Sequence, residues 1–188
     1  MKNELRIIGG QWRSRKLRFP AIPGLRPTSD RIRETLFNWL RQDLEGYRCL
    51  DLFAGSGALG LEAASRGAPR VVAVERSGEA CSALKQNCAL LDANHVEVVQ
   101  QDVARYLMGT PEAFDVAFLD PPFHQDLVAP TCRLLEERGW LAPGARIYIE
   151  SERHWVPEGL PESWELLKTK TAGEVGYHLF RRPLSQPG

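Results

Sequence analysis

The stretch DLFAGSGALGLEAASRG covers residues 51–67 and decides the fold class. Its glycines Gly55, Gly57 and Gly60 have the Gly-x-Gly-x-x-Gly spacing of a turn that connects a strand to a helix and lets a nucleotide approach the backbone. Many α/β domains that hold a nucleotide need this close approach. The glycines alone therefore leave the ligand open between a dinucleotide and another nucleoside.

The sequence around this stretch alternates between short β-branched or apolar runs and helical patterns. Such alternation predicts a Rossmann-like, mostly parallel α/β sheet with helices on both faces. Two final runs separated by a short turn predict an antiparallel hairpin that closes the sheet. The predicted strands are 48–53, 70–75, 96–101, 114–120 and 145–151, the helices are 57–66, 78–92, 103–108 and 126–138, and the hairpin strands are 164–171 and 175–182.

The N-terminal region follows a different pattern. Residues 5–19 predict two strands around a turn at Gly9-Gly10, and residues 26–40 predict a helix. We expect a basic hairpin appendage over 1–24, a catalytic domain over 25–183 and a frayed tail over 184–188. Candidate caps for the helix are Thr28, Ser29 and Asp30, and its predicted apolar face holds Ile32, Leu36, Trp39 and Leu40.

Composition limits the function classes. The 188 residues with 43% hydrophobic content suffice for one well-filled core. No stretch approaches the roughly 20 apolar residues of a membrane span, and the start has no signal-peptide pattern, which predicts a cytoplasmic protein. The four cysteines lack metal-ligand spacing, so we expect reduced thiols and no metal site. No feature indicates an oligomer interface, and a monomer is expected.

The net charge of zero hides an asymmetry along the chain. Residues 1–41 contain ten Lys or Arg and three acidic residues, whereas the remainder contains 14 basic and 21 acidic residues. Such a split indicates either a polyanionic partner at the N-terminal end or a solvated basic hairpin. Charge alone does not decide between them.

Carboxylates follow or end the first three predicted strands of the sheet. Asp51 lies four residues before Gly55, where it would repel a pyrophosphate and attract an ammonium group. S-adenosylmethionine carries an ammonium and a sulfonium, so Asp51 favours this methyl donor. Glu75 can accept hydrogen bonds from both ribose hydroxyls of any nucleoside. Asp102 either accepts from an adenine amino group or caps the helix that begins there.

The motif Asp120-Pro121-Pro122-Phe123 ends the fourth strand, on the side of the sheet where open α/β folds bind ligands. The Asp120 carboxylate and a carbonyl such as that of Pro121 can hold both hydrogens of an exocyclic amine and aim its lone pair at a methyl group. Prolines donate no backbone N–H, and Phe123 offers a face on which an extruded base can stack. The motif predicts methylation of a base amine.

Taken together, residues 51–68, Glu75, Asp102 and 120–123 resemble class I S-adenosylmethionine-dependent methyltransferases that modify amino groups. The N-terminal runs IIGGQWRSRKL (7–17) and RPTSDRIRETLFNWL (26–40) resemble the RsmD family of small-subunit ribosomal RNA guanine-N2 methyltransferases. The resemblance implies a seven-stranded sheet in the order 3-2-1-4-5-7-6 with an antiparallel last strand. It also implies a bacterial enzyme that methylates one guanine N2 of 16S rRNA within a small-subunit assembly particle.

The resemblance also implies roles for individual residues. Asp120, Pro121, Pro122 and Phe123 would hold the guanine. The implied cofactor-binding residues are Asp51, Phe53, Gly55, Gly57, Glu75, Arg76, Asp102 and Val103. The implied RNA-binding residues are Trp12, Arg13, Arg15, Lys16, Arg18 and Arg31, with Trp12 as a stacking residue and the cations on phosphates.

Some alternatives remain open from the sequence. Thr28 and Arg31 are placed either to contact the cofactor's carboxylate or to serve elsewhere, and Arg31 can pair instead with Glu34. The acceptor motif also suits a DNA adenine-N6 or a protein-glutamine methyltransferase. An NAD-binding oxidoreductase and a non-catalytic RNA-binding protein are the alternatives from other classes.

Overall fold

The computed structural model describes residues 3–22, 28–40 and 44–184. Over these residues the chain forms a small two-stranded hairpin, a seven-stranded sheet and five helices. The elements in chain order are β1 (Asn3–Arg6), β2 (Lys16–Phe19), α1 (Asp30–Leu40), β3 (Arg48–Leu52), α2 (Ala58–Ser65), β4 (Arg70–Glu75), α3 (Gly78–Leu90), β5 (Val96–Gln100), α4 (Val103–Leu107), β6 (Phe114–Leu119), α5 (Val128–Glu137), β7 (Leu141–Glu152), β8 (Glu165–Ala172) and β9 (Val175–Arg181).

The large sheet has the strand order β5-β4-β3-β6-β7-β9-β8. Strands β3 to β7 pair in parallel, and β9 lies antiparallel to both β7 and β8. When the strands are counted from β3, this order is 3-2-1-4-5-7-6, which confirms the predicted topology and its antiparallel last strand. The fold therefore places the carboxyl ends of β3, β4 and β6 side by side.

The central strands are buried on both faces, and neighbouring residues point to different cores. Cys49 belongs to a hydrophobic cluster with Leu36 of α1 and Leu84 of α3. Leu50 belongs to a second cluster that includes Leu107 of α4 and residues of α5. Helices therefore cover both faces of the sheet, as the continuous apolar character of the strands predicts.

The N-terminal hairpin is part of this packing. Its strands pair with Leu5 opposite Leu17, and both side chains are buried in the same cluster as α1, α2 and α3. The hairpin is formed as predicted, and Gly9-Gly10 lies within a longer connection, residues 7–15. This loop docks on the last residue of α2, where Ser65 accepts hydrogen bonds from the Gln11 amide at 2.7 Å and the Trp12 amide at 2.9 Å.

A buried ion-pair network fastens the hairpin and α1 to α2. Glu62 is fully buried and accepts from the amides of Ile8 and Gly9, each at 2.9 Å. Its carboxylate also pairs with Arg33 at 3.2 Å and with Arg66 at 2.9 Å. Because a buried charge without a partner is costly, this network fixes the three segments relative to one another.

Helix α1 differs in part from the prediction. Its buried residues are Ile32, Arg33, Leu36 and Phe37, whereas Trp39 and Leu40 are only partly buried. The network around Glu62 holds the Arg33 guanidinium inside the protein, and Trp39 and Leu40 still pack against the hydrophobic cluster, as predicted. Among the three candidate caps, the Ser29 hydroxyl accepts from the Ile32 amide at 3.2 Å, just before the helix begins.

Two further predictions concern boundaries and thiols. The predicted boundary between residues 24 and 25 lies outside the described residues, as do residues 185–188 of the predicted tail. All four cysteines are free thiols; Cys49, Cys81 and Cys132 are buried, and Cys88 is half-buried.

Candidate active site

A cavity of about 650 Å³ opens at the carboxyl ends of β3, β4 and β6. This volume lies within the range of small-molecule and cofactor sites. The cavity brings together the residues predicted for the cofactor and those predicted for the base. Its lining includes Thr28, Asp51, Phe53, Gly55, Glu75, Arg76, Asp102, Val103, Asp120, Pro121, Pro122 and Phe123.

Among the predicted cofactor-binding residues, Gly57 is the one that does not line the cavity. It precedes α2 with a left-handed φ of 81°, and a Cβ atom there would lie 2.4 Å from Leu84 Cδ1. At Gly60, a Cβ atom would lie 2.9 Å from the Asp51 carboxylate. Both glycines are therefore needed for close packing of α2, which brings the helix N-terminus to the cavity.

Asp51 is the most enclosed carboxylate that lines the cavity. Its side chain is 2% exposed, and its Oδ2 accepts a hydrogen bond from the Gly60 amide at 2.9 Å. The pKa of Asp51 is raised to about 8, mainly by burial. The Gly60 amide opposes this rise, and the nearby carboxylates of Glu75 and Glu150 add to it. A cationic ligand group beside Asp51 would stabilise its ionised form.

Glu75 ends β4 and is held by two backbone amides. Its Oε1 accepts from the Gly55 amide at 3.0 Å, and its Oε2 accepts from the Ser77 amide at 2.7 Å. A carboxylate has about four acceptor positions, so each oxygen can accept one further hydrogen bond. The glycine loop thus fixes Glu75 in an orientation suited to a ribose diol.

Asp102 caps a helix and also lines the cavity. Its Oδ2 accepts from the Arg105 amide at 3.2 Å and caps α4. The residue also lines the cavity, next to the buried Val103. Capping engages one carboxylate oxygen, which leaves acceptor capacity for a ligand amine.

Asp120 directly follows β6, and the prolines and Phe123 continue from it along the cavity wall. Its Oδ2 lies 3.4 Å from the Thr28 hydroxyl, which donates to it. The loop beyond Phe123 is held by Glu152, whose carboxylate accepts from the amide of His124. His124 has a left-handed φ of 63°, so this contact maintains an unusual backbone conformation next to the motif.

The sequence did not reveal a buried acid close to this site. Glu150 of β7 is 4% exposed and accepts from the Tyr148 hydroxyl at 2.7 Å. Burial raises the pKa of Tyr148, and the Glu150 charge raises it further, so Tyr148 remains a hydrogen-bond donor. The available signal was a single acidic residue within the apolar strand ARIYIES at 145–151.

The predicted RNA-binding residues divide into two groups. Arg13, Arg15, Lys16 and Arg18 are exposed, whereas Leu17 is buried, as strand alternation predicts. Trp12 is 5% exposed, and its ring lies 5.8 Å from that of His95. The predicted stacking of Trp12 on RNA is therefore wrong, because the ring already packs inside the protein.

The loop that carries two of these cations lies away from the cavity. The loop with Arg13 and Arg15 docks on Ser65, at the end of α2, and on His95, just before β5. Both contacts lie at the amino-end edge of the sheet, opposite the cavity. Arg31 is exposed and does not line the cavity, whereas Thr28 does.

The described residues hold neither a metal-ligand cluster nor a membrane-spanning helix. Within residues 3–22, 28–40 and 44–184, no group of three or more His, Cys, Asp or Glu side chains is arranged to bind a metal ion. The helices of this same part are too short or too polar to cross a membrane.

Comparison with known proteins identifies the family. The family model described as Conserved hypothetical protein 95 matches residues 5–181. The chain is 49% identical over 184 residues to Ribosomal RNA small subunit methyltransferase D of Escherichia coli K12, covering 95% of this chain and 90% of that protein. The same-named protein of Haemophilus influenzae is 46% identical over 184 residues, covering 96% of this chain and 95% of that one.

A solved structure agrees with these relatives. The structure described as "Putative methyltransferase yhhF from Escherichia coli" superposes with a TM-score of 0.90 at 43% identity. The superposition covers 97% of this chain and 100% of that one. Family model, relatives and structure all extend over nearly the whole chain, which therefore belongs to the RsmD family.

Proposed function

We propose that this protein transfers a methyl group from S-adenosylmethionine to the exocyclic N2 amine of a guanine in small-subunit ribosomal RNA. The observation that carries the proposal is a single cavity lined by Asp51 and Glu75 together with Asp120 and Phe123. Relatives at 46–49% identity that are named ribosomal RNA small subunit methyltransferase D support the RNA substrate. We further propose that the enzyme acts in the cytoplasm, as a monomer and without a metal ion.

The cavity fits the proposed methyl donor. Asp51 presents a buried carboxylate for an ammonium group, and Glu75 presents fixed acceptors for two ribose hydroxyls. Asp102 and Val103 offer an acceptor and an apolar surface for the adenine ring. When bound, S-adenosylmethionine supplies a methyl group on a positively charged sulfur.

The described residues then act on the base. The Asp120 carboxylate and the Pro121 carbonyl would accept the two hydrogens of the exocyclic amine, while Phe123 stacks on the ring. This orientation frees the nitrogen lone pair from the ring and directs it at the methyl carbon. As the N–C bond forms and the C–S bond breaks, the amine becomes acidic and Asp120 is placed to accept its proton.

Guanine is the base favoured by family membership. On the Watson–Crick edge of guanine, the N1–H and N2–H donors point the same way, so one carboxylate can accept from both. The same acceptors would serve adenine N6, and the geometry of Asp120 is compatible with either base. A DNA adenine-N6 methyltransferase is therefore the alternative that the first experiment must separate.

The test is methyl transfer to a defined substrate. Small-subunit particles from cells lacking this protein would be incubated with the enzyme and labelled S-adenosylmethionine, followed by nucleoside analysis of the RNA. We expect labelled N2-methylguanosine. Label in DNA or protein instead would contradict the RNA substrate, and the absence of any transfer would contradict the activity.

Proton release provides a test of the cofactor's position. At pH 7, Asp51 with a pKa of about 8 is mostly protonated, and a bound ammonium group would favour its ionised form. We expect binding of S-adenosylmethionine at pH 7 to release roughly one proton, and its affinity to rise as the pH increases from about 6 toward 8. Titration calorimetry in buffers with different ionisation heats measures the proton count.

The matched variant for this measurement is Asp51→Asn, which keeps the shape of the side chain and has no titrating carboxyl. It should bind S-adenosylmethionine more weakly, by the roughly 1.5 to 3 kcal/mol of a charged hydrogen bond, and release no proton. Equal affinity of both proteins would mean that the ammonium group is held elsewhere.

Salt dependence tests the basic hairpin. A variant with alanine at four hairpin positions should bind RNA more weakly; the positions are Arg13, Arg15, Lys16 and Arg18. When exposed cations such as these contact phosphates, the RNA releases its bound counterions. If all four cations bind phosphates in the wild-type protein, the slope of log affinity against log salt should fall by up to about 3 in the variant. Binding is measured by fluorescence anisotropy over a range of salt concentrations.

The matched control lies at the other edge of the sheet. Lys168 and Lys170 are exposed on the edge strand β8, far from β5 in the strand order. Alanine at these two positions should leave the slope unchanged, and neither variant should alter the affinity for S-adenosylmethionine. An unchanged slope in the hairpin variant would exclude the hairpin from the RNA interface.

A further inference from the structure

We infer that Thr28 is a positioning residue that orients the Asp120 carboxylate toward the base. This inference rests on the proposed function, in which Asp120 accepts hydrogens from the substrate amine. Thr28 precedes α1, is 7% exposed and lines the cavity. Its hydroxyl donates to Asp120 Oδ2 at 3.4 Å, across 92 residues of sequence.

The backbone of Thr28 is held independently of this contact. The Arg33 side chain donates from its Nε to the Thr28 carbonyl at 3.2 Å. Arg33 is 1% exposed, pairs with Glu62 at 3.2 Å and donates to the Arg6 carbonyl at 2.9 Å. The backbone of Thr28 is therefore held by the same buried network that fastens the hairpin to α2, and this places its side chain beside Asp120.

The contact suits the chemistry that Asp120 is proposed to perform. A carboxylate attached through a single methylene rotates readily, and rotation would misalign the acceptor from the amine. A hydroxyl bound to Oδ2 selects one rotation of the carboxylate while leaving it able to accept further hydrogen bonds. Hydrogen bonds at catalytic groups are often long without substrate and shorten in the reactive complex, which fits the 3.4 Å separation.

The test compares two substitutions at Thr28 with one at its neighbour. Thr28→Val keeps the shape and removes the hydroxyl, whereas Thr28→Ser keeps the hydroxyl. Ser29→Ala is the matched control, because the Ser29 hydroxyl caps α1 at the Ile32 amide. The kcat and KM for methylation of small-subunit particles, the Kd for S-adenosylmethionine and the Tm would be measured for each.

We expect Thr28→Val to lower kcat by about tenfold to a hundredfold, the effect of losing a hydrogen bond to a charged group. The Kd for S-adenosylmethionine should remain within about twofold, and Thr28→Ser should restore kcat to within about threefold of wild type. Ser29→Ala should lower the Tm slightly and leave kcat unchanged. In an Asp120→Asn background, Thr28→Val should cause little additional loss, because the acceptor oxygen that Thr28 orients toward the amine is already missing.

Three results would overturn the inference alone, and the first two are full kcat in Thr28→Val and equal losses in Thr28→Val and Thr28→Ser. The second would assign the effect to packing of the whole threonine side chain rather than to its hydroxyl. Additive losses with Asp120→Asn would likewise show that Thr28 does not act through Asp120. A wild-type protein that transfers no methyl group to RNA would overturn the proposed function and this inference with it.

Discussion

Replacement of Asp120 by asparagine is expected to lower kcat by about a hundredfold to a thousandfold, the size of effect seen when one preorganised transition-state contact is removed. The substitution preserves the shape of the side chain but replaces one acceptor oxygen with an NH₂ donor. That donor faces the hydrogens of the substrate amine, so the lone pair loses its alignment. Initial rates of methyl transfer to small-subunit particles measure the effect.

The comparison needs a substitution of the same kind in the same loop. Asp126→Asn is suitable, because Asp126 is exposed and has a left-handed φ of 50°, which asparagine tolerates. It should retain near-normal kcat. Both variants should bind S-adenosylmethionine normally, and an Asp120→Asn enzyme with kcat within about fivefold of wild type would remove Asp120 from the mechanism.

Replacement of Glu62 by glutamine should lower the free energy of unfolding by about 3 kcal/mol. The carboxylate pairs with Arg33 and Arg66 and accepts from the amides of Ile8 and Gly9, and none of these interactions lies on the surface. Among the described residues, glutamine at position 62 leaves the buried Arg33 cation with one acidic partner, the more exposed Asp30 at 2.5 Å. Urea unfolding measures the loss.

An exposed ion pair provides the reference for this loss of unfolding free energy. Glu97 pairs with Arg70 at 2.9 Å, and both side chains are more than a third exposed. Glu97→Gln should therefore cost less than about 1 kcal/mol. Amide exchange at Ile8 and Gly9 should accelerate in Glu62→Gln only, and a Glu62→Gln protein as stable as Glu97→Gln would show that the buried network contributes little.

The parallel sheet could be predicted because each of its strands has a recognisable local sequence pattern. Strands β3, β4 and β6 are buried on both faces and therefore form continuous apolar runs. The path of the N-terminal loop has no comparable local sequence pattern. Its path is set by hydrogen bonds to Ser65, a residue more than 50 positions away, so the two glycines indicated a turn but not the length of the connection.

The candidate site also combines features that a local sequence pattern predicts with features that depend on long-range contacts. The positions of Asp51, Glu75 and Asp120 at the cavity could be predicted, because each lies at or next to the carboxyl end of a strand and carries a functional group that a ligand needs. The contact between Thr28 and Asp120, and the burial of Arg33, depend on which segments meet in three dimensions. Trp12 illustrates the limit: neighbouring arginines suggested exposure, but its packing partner His95 is distant in sequence.

The packing of the hairpin has a consequence for how substrate preference can diverge among relatives. The hairpin contributes five buried side chains to the core of the domain: Leu5, Ile7, Trp12, Leu17 and Phe19. Deleting or exchanging the hairpin as a unit would therefore destabilise the rest of the domain. Only its outward positions can vary freely. If the hairpin contacts RNA as proposed, changes in RNA preference would arise by point substitutions at exposed residues such as Arg15 and Lys16, while the buried residues of the hairpin stay the same.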